Sequence, residues 1–481
     1  NQAFLQTSCN AIKRILLCAE KLAADRTAAM ANSDSSDKFA FTDSKADTGA
    51  WWPILTGLAN LVMDRREPVR TLSLDSLFHI LAEQGHLFSS GLWELIFKGV
   101  LFPIFDDVRH SHMEIISNSN VSGKVVMDSY TEEWLRSTCQ DALNSIVSLF
   151  SKRESFGQLQ FLLSDVFQLL QNCIVHPNQL LARKGVACLK TLLSDAGNNF
   201  DDATWTIAAE KVNDMFLKTI PTQLMKGKET MPSADDAGED GESDPPERDD
   251  APENALPFSP HRVLSMCFVQ LDLVQVVNDI TEKHWKSMKA NHISCWLTML
   301  KEVFTFASDF NKDLPLRVHL LNAGFMRMLN MSGHQRPPSL LNQESQALSV
   351  YLKILIRVGS RPIVEENQDQ LALDADEKLG KVCARMMKRY LHAEQSSLVT
   401  EQAESEPTSW TAEETMQKSE NERTAQTFCS IVMDVLTAWG SATRPVFQRH
   451  ESWLKPLLFE MIMCENVDLR KALKRVLLVH L

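Results

Sequence analysis

Apolar residues recur along this chain with the period of an α-helix. Leu159, Leu162, Leu163, Val166, Leu170 and Cys173 fall at i, i+3, i+4, i+7, i+11 and i+14. Ile293, Trp296, Leu297, Leu300, Phe304 and Ala307 keep helical spacing, as do Phe428, Ile431, Val432, Val435, Leu436 and Trp439. Such a stripe lines one face of a helix with 3.6 residues per turn. Alternating strand-like runs are nearly absent. The pattern predicts an all-α chain.

A longer period lies over the helical one. Val69 and Arg70 lead into an apolar helix that reaches Gly85, followed by Phe88 and Trp93. A shift of 112 residues brings Leu181, another apolar helix, then Gly197, Phe200 and Trp205. Leu77, Ile80 and Leu81 meet Leu189, Leu192 and Leu193 under that shift. Agreement at so many positions indicates a shared structural unit. The two glycines are expected to end their helices where φ is positive. The Phe and Trp after each should plug the turn into the core.

Within the first copy, Leu55, Leu58, Leu61, Asp64, Val69 and Arg70 spell L-x-x-L-x-x-L-x-x-D-x-x-x-x-V-R, the skeleton of a HEAT repeat. Asp64 is expected between paired helices, capping the next one and meeting basic neighbours. The helix that follows is apolar on two faces, as a helix stacked between neighbours must be. The expected fold is therefore an all-α HEAT/armadillo-like helical-repeat solenoid, an α-α superhelix. An ordinary helical hairpin is the simpler alternative.

Polar stretches divide this array. Residues 1–225 read as HEAT-like helical repeats with a Ser/Asp-rich loop near 31–49. Residues 226–260 read as an acidic disordered linker. Between Glu229 and Glu253 there are eleven acidic residues and one arginine, a net of −10. Self-repulsion, proline and few apolar residues favour disorder there. Residues 261–393 return to helical repeats, 394–424 read as a polar flexible linker, and 425–481 as C-terminal helical repeats.

The linker accounts for most of the formal charge of −13 over 481 residues. An acidic chain is a poor general nucleic-acid binder, which needs a dominant basic surface. The ten cysteines are scattered without a C-x-x-C pair and mostly lie on apolar stripes, as reduced core thiols do. No apolar run is long enough to predict a transmembrane helix. The chain starts at Asn1 and ends at Leu481 inside helical patterns, so it is expected to be a piece of a longer polypeptide.

Candidate chemistry mostly fails. His110 and His112 are close but stand in a polar stretch without a neighbouring Cys, so a surface loop is favoured over zinc. No nucleotide cradle or nucleophile elbow is present. Cys/His pairs could be drawn for a hydrolase, but each Cys reads better as core. No catalytic, cofactor-binding or metal residue is assigned. Two basic amphipathic pieces could meet an anionic membrane or an acidic partner: Lys381, Arg385, Lys388 and Arg389, and Arg470, Lys471, Lys474 and Arg475. A solvated helix face is the plainer reading of each. Trp51, Trp52, Trp93, Trp134 and Trp205 read as core.

The wording of residues 51–106 is more specific than its periodicity. DRREPVRTLSLDSLFHIL and GHLFSSGLWELIFKGVLFPIFDDVRHS resemble the C-terminal region of the large guanine-nucleotide exchange factors for Arf GTPases, nearest to the brefeldin A-inhibited (BIG) group of the trans-Golgi network. The resemblance continues through TEEWLRSTCQDALNSIVSLF and HPNQLLARKGVACLKTLLSDAG and weakens after residue 261. In that family a central domain inserts a glutamate into the GTPase nucleotide site, and helical regions around it regulate, dimerise and bind partners. The catalytic run phenylalanine-arginine-leucine-proline-glycine-glutamate is absent here, so no catalytic residue is carried over. The family's proline after the HEAT aspartate is replaced by Arg65, with Pro68 later.

The resemblance implies a non-catalytic regulatory region of an exchange factor acting in Golgi vesicle trafficking. Its implied partners are Arf- and Rab-type small GTPases, a second copy of the chain, and Golgi membranes reached peripherally through partners. It implies no cofactor and no nucleic acid. The alternative is a HEAT-repeat nuclear-transport or phosphatase-type scaffold unrelated to exchange.

Overall fold

A computed structural model describes residues 2–31, 45–106, 129–151, 157–230, 256, 258–329, 336–359, 366–403 and 412–480. They form eighteen α-helices joined by turns, several of them 3-10, and no strand occurs among the described residues. The fold is an all-α helical-repeat solenoid, as the periodicity predicts. The helices gather into two compact units.

The first unit holds residues 1–219 and 264–288. It contains α1 (Gln2–Ala31), α2 (Lys45–Leu61), α3 (Glu67–Gln84), α4 (Ser90–Ile96), α5 (Ser129–Ser137) and α6 (Cys139–Ser148). It continues with α7 (Leu163–Ile174), α8 (Gln179–Ala196), α9 (Asp202–Thr219) and most of α10 (Pro260–Lys283). Helices two apart in order touch as well as adjacent ones: α1 packs on α3, α6 on α8, and α7 on α9. This is the two-layer signature of a stacked array.

The starts of these helices are written locally. Asn178 accepts from the Leu181 amide at 3.1 Å to open α8, Ser89 accepts from Leu92 at 3.1 Å to open α4, and Asp201 accepts from Thr204 at 2.8 Å to open α9. Each satisfies a backbone donor that the first helical turn leaves unpaired.

The second unit holds residues 220–263 and 289–481. Its helices are α11 (Ala290–Lys312), α12 (Leu314–Asn322), α13 (Phe325–Met328), α14 (Leu341–Gly359), α15 (Glu366–Ala403), α16 (Ala412–Ser441), α17 (Arg444–Glu460) and α18 (Val467–His480). Here α14, α16 and α18 form one layer, while α15 and α17 form the other. The stripes that predicted helices at 159–173, 293–307 and 428–439 are buried at every named position.

Two boundaries differ from the sequence reading. The chain does not divide once at 226–260. Residues 264–288 return to the first unit, where Asp272 and Asp279 of α10 pair with Arg183 and Lys190; α10 also buries Val269, Leu273, Val274, Val276, Val277 and Ile280. By length and composition α10 could cross a membrane, yet 61% of its most apolar window is buried inside the protein. The expected flexible connection at 394–424 is helical through Ala403 and again from Ala412. Its polarity misled because Glu420 is a buried ion-pair partner rather than a solvated residue. The loop expected near 31–49 keeps helix at Ala31 and from Lys45 onward, and its centre lies outside the described residues. So do His110, His112 and residues 231–255, the bulk of the acidic linker.

Candidate functional site

The motif residues assemble two kinds of structural device. The first is built on Arg70, which is fully buried near the start of α3. Its Nη1 donates to the carbonyls of Asp64 and Arg65, both at 3.0 Å. Its Nε donates to Thr138 Oγ1 at 3.0 Å. Its Nη2 donates to Glu133 Oε1 at 2.9 Å and to Ser137 Oγ at 3.1 Å. All five guanidinium N–H groups are thereby used, which is what makes a buried arginine tolerable. Tyr130 hydroxyl bonds to the Met63 carbonyl, and Trp134 Nε1 donates to Val62 O at 3.1 Å. The free carbonyls after α2 are thus gathered by side chains of α3 and α5. Val69 is buried beside them.

Asp64 does not cap α3, but it does meet a basic side chain, that of Arg66. The residue before α3 is Arg66, and α3 has no side-chain cap. Asp64 instead accepts from the Arg66 amide at 2.8 Å and from Arg66 Nε and Nη2, both at 2.9 Å. These bonds to the Arg66 side chain, above all, hold the Asp64 carboxyl below its usual range. Pro68, in the first turn of α3, supplies the helix start without needing an amide partner. The aspartate therefore shapes the turn and leaves the helix-to-helix link to the Arg70 side chain.

The second unit contains the same arginine device, which the sequence reading did not single out. Asn311-Lys-Asp-Leu-Pro-Leu-Arg317 matches Asp64-Arg-Arg-Glu-Pro-Val-Arg70 in the spacing of its Pro and Arg. Arg317 Nη1 donates to the Asn311 carbonyl at 2.9 Å, the counterpart of the Arg70 bond to Asp64 O. Its Nε donates to Pro338 O, and its Nη2 meets Glu420 of α16, each at 2.6 Å. The Pro-Leu-Arg triplet was the available signal.

The second device is the glycine–tryptophan pair. Gly85 has φ −60° and Gly197 φ −57°, so neither needs a positive φ. Among the described residues the glycine with positive φ is Gly324 at 81°. The two motif glycines are small because rings lie on them: the Trp93 indole on Gly85, and the His284 and Trp205 rings on Gly197. A Cβ on Gly85 would come within 2.5 Å of Trp93 Cζ2, and one on Gly197 within 3.1 Å of Trp205 Cζ2. Phe88 meets Trp93 edge-on at 5.5 Å, and Phe200 meets Trp205 at 5.1 Å. The copies then diverge. Trp93 Nε1 donates to Gly85 O at 3.2 Å. Trp205 lies beside the His284 ring, 5.4 Å between centroids, while Nε2 of that histidine donates to Ser194 O at 3.1 Å.

Burial pushes the Cys188 thiol up to about 12 and does the same for Cys383 and Cys267. Thiols so raised are protonated near neutrality and poor nucleophiles. Among the described residues no group of three or more His, Cys, Asp or Glu side chains could hold a metal ion.

The second unit holds a cleft of about 300 Å³ among α11, α14, α15 and α16. Phe304, Leu348, Met386 and Phe428 line it together with charged residues. The Arg389 guanidinium stands 4.9 Å from the Phe428 ring centroid and pairs with the buried Glu344. Glu344 also accepts from Asn311 Nδ2 at 2.8 Å. Of the first basic piece, then, Arg389 is spent inside the fold, Lys381 pairs with Glu377, and Arg385 lines the cleft. In the second piece all four cations of α18 are exposed, with Lys471 2.8 Å from Asp468.

Two family models match this chain. Residues 51–216 match a family model described as "GBF1-like, tetratrico peptide repeat region", and residues 268–478 match one described as "BIG2 C-terminal domain". Brefeldin A-inhibited guanine nucleotide-exchange protein 1 of Arabidopsis thaliana is 28% identical, covering 95% of this chain and 27% of that protein. ADP-ribosylation factor guanine nucleotide-exchange factor sec72 of Schizosaccharomyces pombe is 27% identical over 75% of the chain and 19% of its own length. The human brefeldin A-inhibited guanine nucleotide-exchange protein 1 is 24% identical over 99% of the chain and 27% of its own length. The chain spans about a quarter of the length of such relatives.

Proposed function

This chain belongs to the helical regions of the BIG- and GBF1-type Arf guanine-nucleotide exchange factors, and from that premise we propose that it is a regulatory and interaction region without exchange activity of its own. The observation that carries the reading is the pair of family matches. One is described as a repeat region and the other as a C-terminal domain, and together they take in both helical blocks. The sequence contains no phenylalanine-arginine-leucine-proline-glycine-glutamate run. The motif residues serve as latches between helices, which suits a rigid scaffold.

In this reading the chain presents surfaces to Arf- or Rab-type small GTPases, to other partners or to a second copy of itself. It thereby controls recruitment to Golgi membranes and autoinhibition of the exchange domain. Exposed apolar side chains support a binding role: Phe459, Ile462, Met463 and Val467 stand out at the turn between α17 and α18, Met463 with 81% of its surface exposed. Buried Met461 and Cys464 anchor that turn, so the exposed residues project from a fixed platform.

The test compares nucleotide release from Arf by the isolated 481-residue chain and by the full-length protein. The expected result is no acceleration by the chain and acceleration by the whole protein. Exchange by the chain alone would sink the proposal. Capture of GTP-loaded over GDP-loaded Arf and Rab proteins by the immobilised chain then identifies the GTPase.

A further inference from the structure

The cleft among α11, α14, α15 and α16 has an apolar floor and an unbalanced charge. Five charged side chains line it: Lys312, Arg385 and Arg389 against Asp309 and Glu344. Arg389 is neutralised by Glu344, and Lys312 stands 3.6 Å from Asp309. Arg385 has no ion-pair partner among the described residues, and its side chain is exposed. One positive charge is therefore left at the edge of an apolar space. Phe304, Leu348, Met386 and Phe428 are buried residues of the wall, held by the packing of four helices.

We propose that this cleft binds a monoanionic amphiphile, a medium-length acyl chain with a carboxylate head. The chain lies against Phe304, Leu348, Met386 and Phe428, and the carboxylate takes the charge of Arg385. A cavity near 300 Å³, mostly apolar with a few placed polar groups, is at the small end of ligand sites. One monovalent head group balances the cleft. A second negative charge would face Asp309 and Glu344 without a free cation. The Arg389–Phe428 stack stiffens the site and keeps the Glu344 carboxylate from competing for Arg385. The inference goes beyond the exchange-factor reading, and its test involves no GTPase.

The test is calorimetric titration of the 481-residue chain with decanoate below its micellar concentration, with shorter carboxylates, and with decanamide as the uncharged analogue. Decanoate is expected to saturate at one per chain. Affinity should rise about three- to four-fold per added methylene until the cleft is full. Decanamide should bind about ten-fold more weakly, as loss of a charged hydrogen bond requires. Arg385→Ala, at an exposed position, should bind the two ligands equally. Leu348→Trp, which fills the cleft, should abolish binding with helix content unchanged. Non-saturating decanoate, or an Arg385→Ala chain that still prefers decanoate, overturns the proposal. So does a chain that ignores decanoate but binds an acidic amphipathic peptide, which would reassign the cleft to a protein partner.

Discussion

The indole of Trp93 lies against Gly85 so closely that a single methyl group between them would stand 2.5 Å from Cζ2. The same indole donates its N–H to the Gly85 carbonyl at 3.2 Å, so ring and backbone are fixed on two counts. Gly85→Ala must displace a buried Trp or the end of α3. It is expected to destabilise the first unit by about 1–3 kcal/mol, the usual range for overpacking. Gly197→Ala should cost less, because its nearest contacts are at 3.0–3.1 Å and one is the His284 ring. Denaturant midpoints of the two variants decide the order, and equal losses would refute the close-approach argument.

Arg70 gives a sharper contrast between buried and exposed partners. Arg70→Ala removes five bonds and leaves two backbone carbonyls behind α2 without that donor. A loss of about 3–5 kcal/mol is expected, as for breaking a buried charged network. Arg70→Lys should recover little, because an ammonium cannot reproduce the planar fork. Glu133→Gln should cost at most about 1 kcal/mol, since the Glu133 side chain is 54% exposed. Chemical denaturation of the three variants tests this. A mild Arg70→Ala would mean that water replaces the guanidinium.

What the sequence made legible follows from what each residue does locally. The helical stripes could be read because burial of one face is periodic. The Gly85 and Gly197 copies could be read because both keep the same Phe and Trp spacing. Their reason could not, since glycine serves a positive φ and a close approach alike, and only the neighbouring indole distinguishes them. Arg317 escaped notice because Asn311 stands where the first copy has Asp64. Its role lies in a backbone carbonyl, which a sequence motif does not display. Glu420 sat among polar neighbours, and nothing local said that its partner was an arginine 103 residues away. The cleft draws on four helices that no linear pattern brings together.

The Arg317–Glu420 pair joins α12 to α16 with both groups largely buried. Glu420→Ala should therefore destabilise the second unit by about 3–5 kcal/mol, because it strands a buried guanidinium. Replacing both residues with apolar ones of similar size should cost far less than the two single losses added. A double-mutant cycle on Arg317→Met and Glu420→Leu measures the difference. Strict additivity would show that the pair does not hold α16 in place.

The first unit needs chain beyond the acidic linker. Helix α10 runs parallel to α8, since Arg183 pairs with Asp272 at 2.7 Å and Lys190 with Asp279 at 2.5 Å, both partners advancing by seven residues. These pairs are part-exposed and set register more than stability; the apolar face of α10 supplies the adhesion. A fragment ending at 225 is expected to bind a hydrophobic dye and to aggregate. One ending at 288 should be monodisperse and melt at a higher temperature. Equal behaviour in light scattering and melting would place α10 outside the first unit.

His284 ties that helix to pH. Its Nε2 donates to the Ser194 carbonyl, so the neutral ring already satisfies this contact. Burial first, and Lys283 beside it, hold the imidazole below its usual range, outweighing the bond to Ser194 and the Asp195 charge. The unfolded chain therefore takes up this proton before the folded one does as pH falls. The stability from neutral His284 is full above about 6.5 and declines as pH drops below it toward the folded value. His284→Gln keeps an N–H donor and removes the titration. The wild type should lose more stability between about pH 8 and pH 5 than His284→Gln does, with the shared titration of other groups cancelling in the comparison. Parallel pH profiles from denaturant titrations would show that protonation of His284 does not bear on the docking of α10.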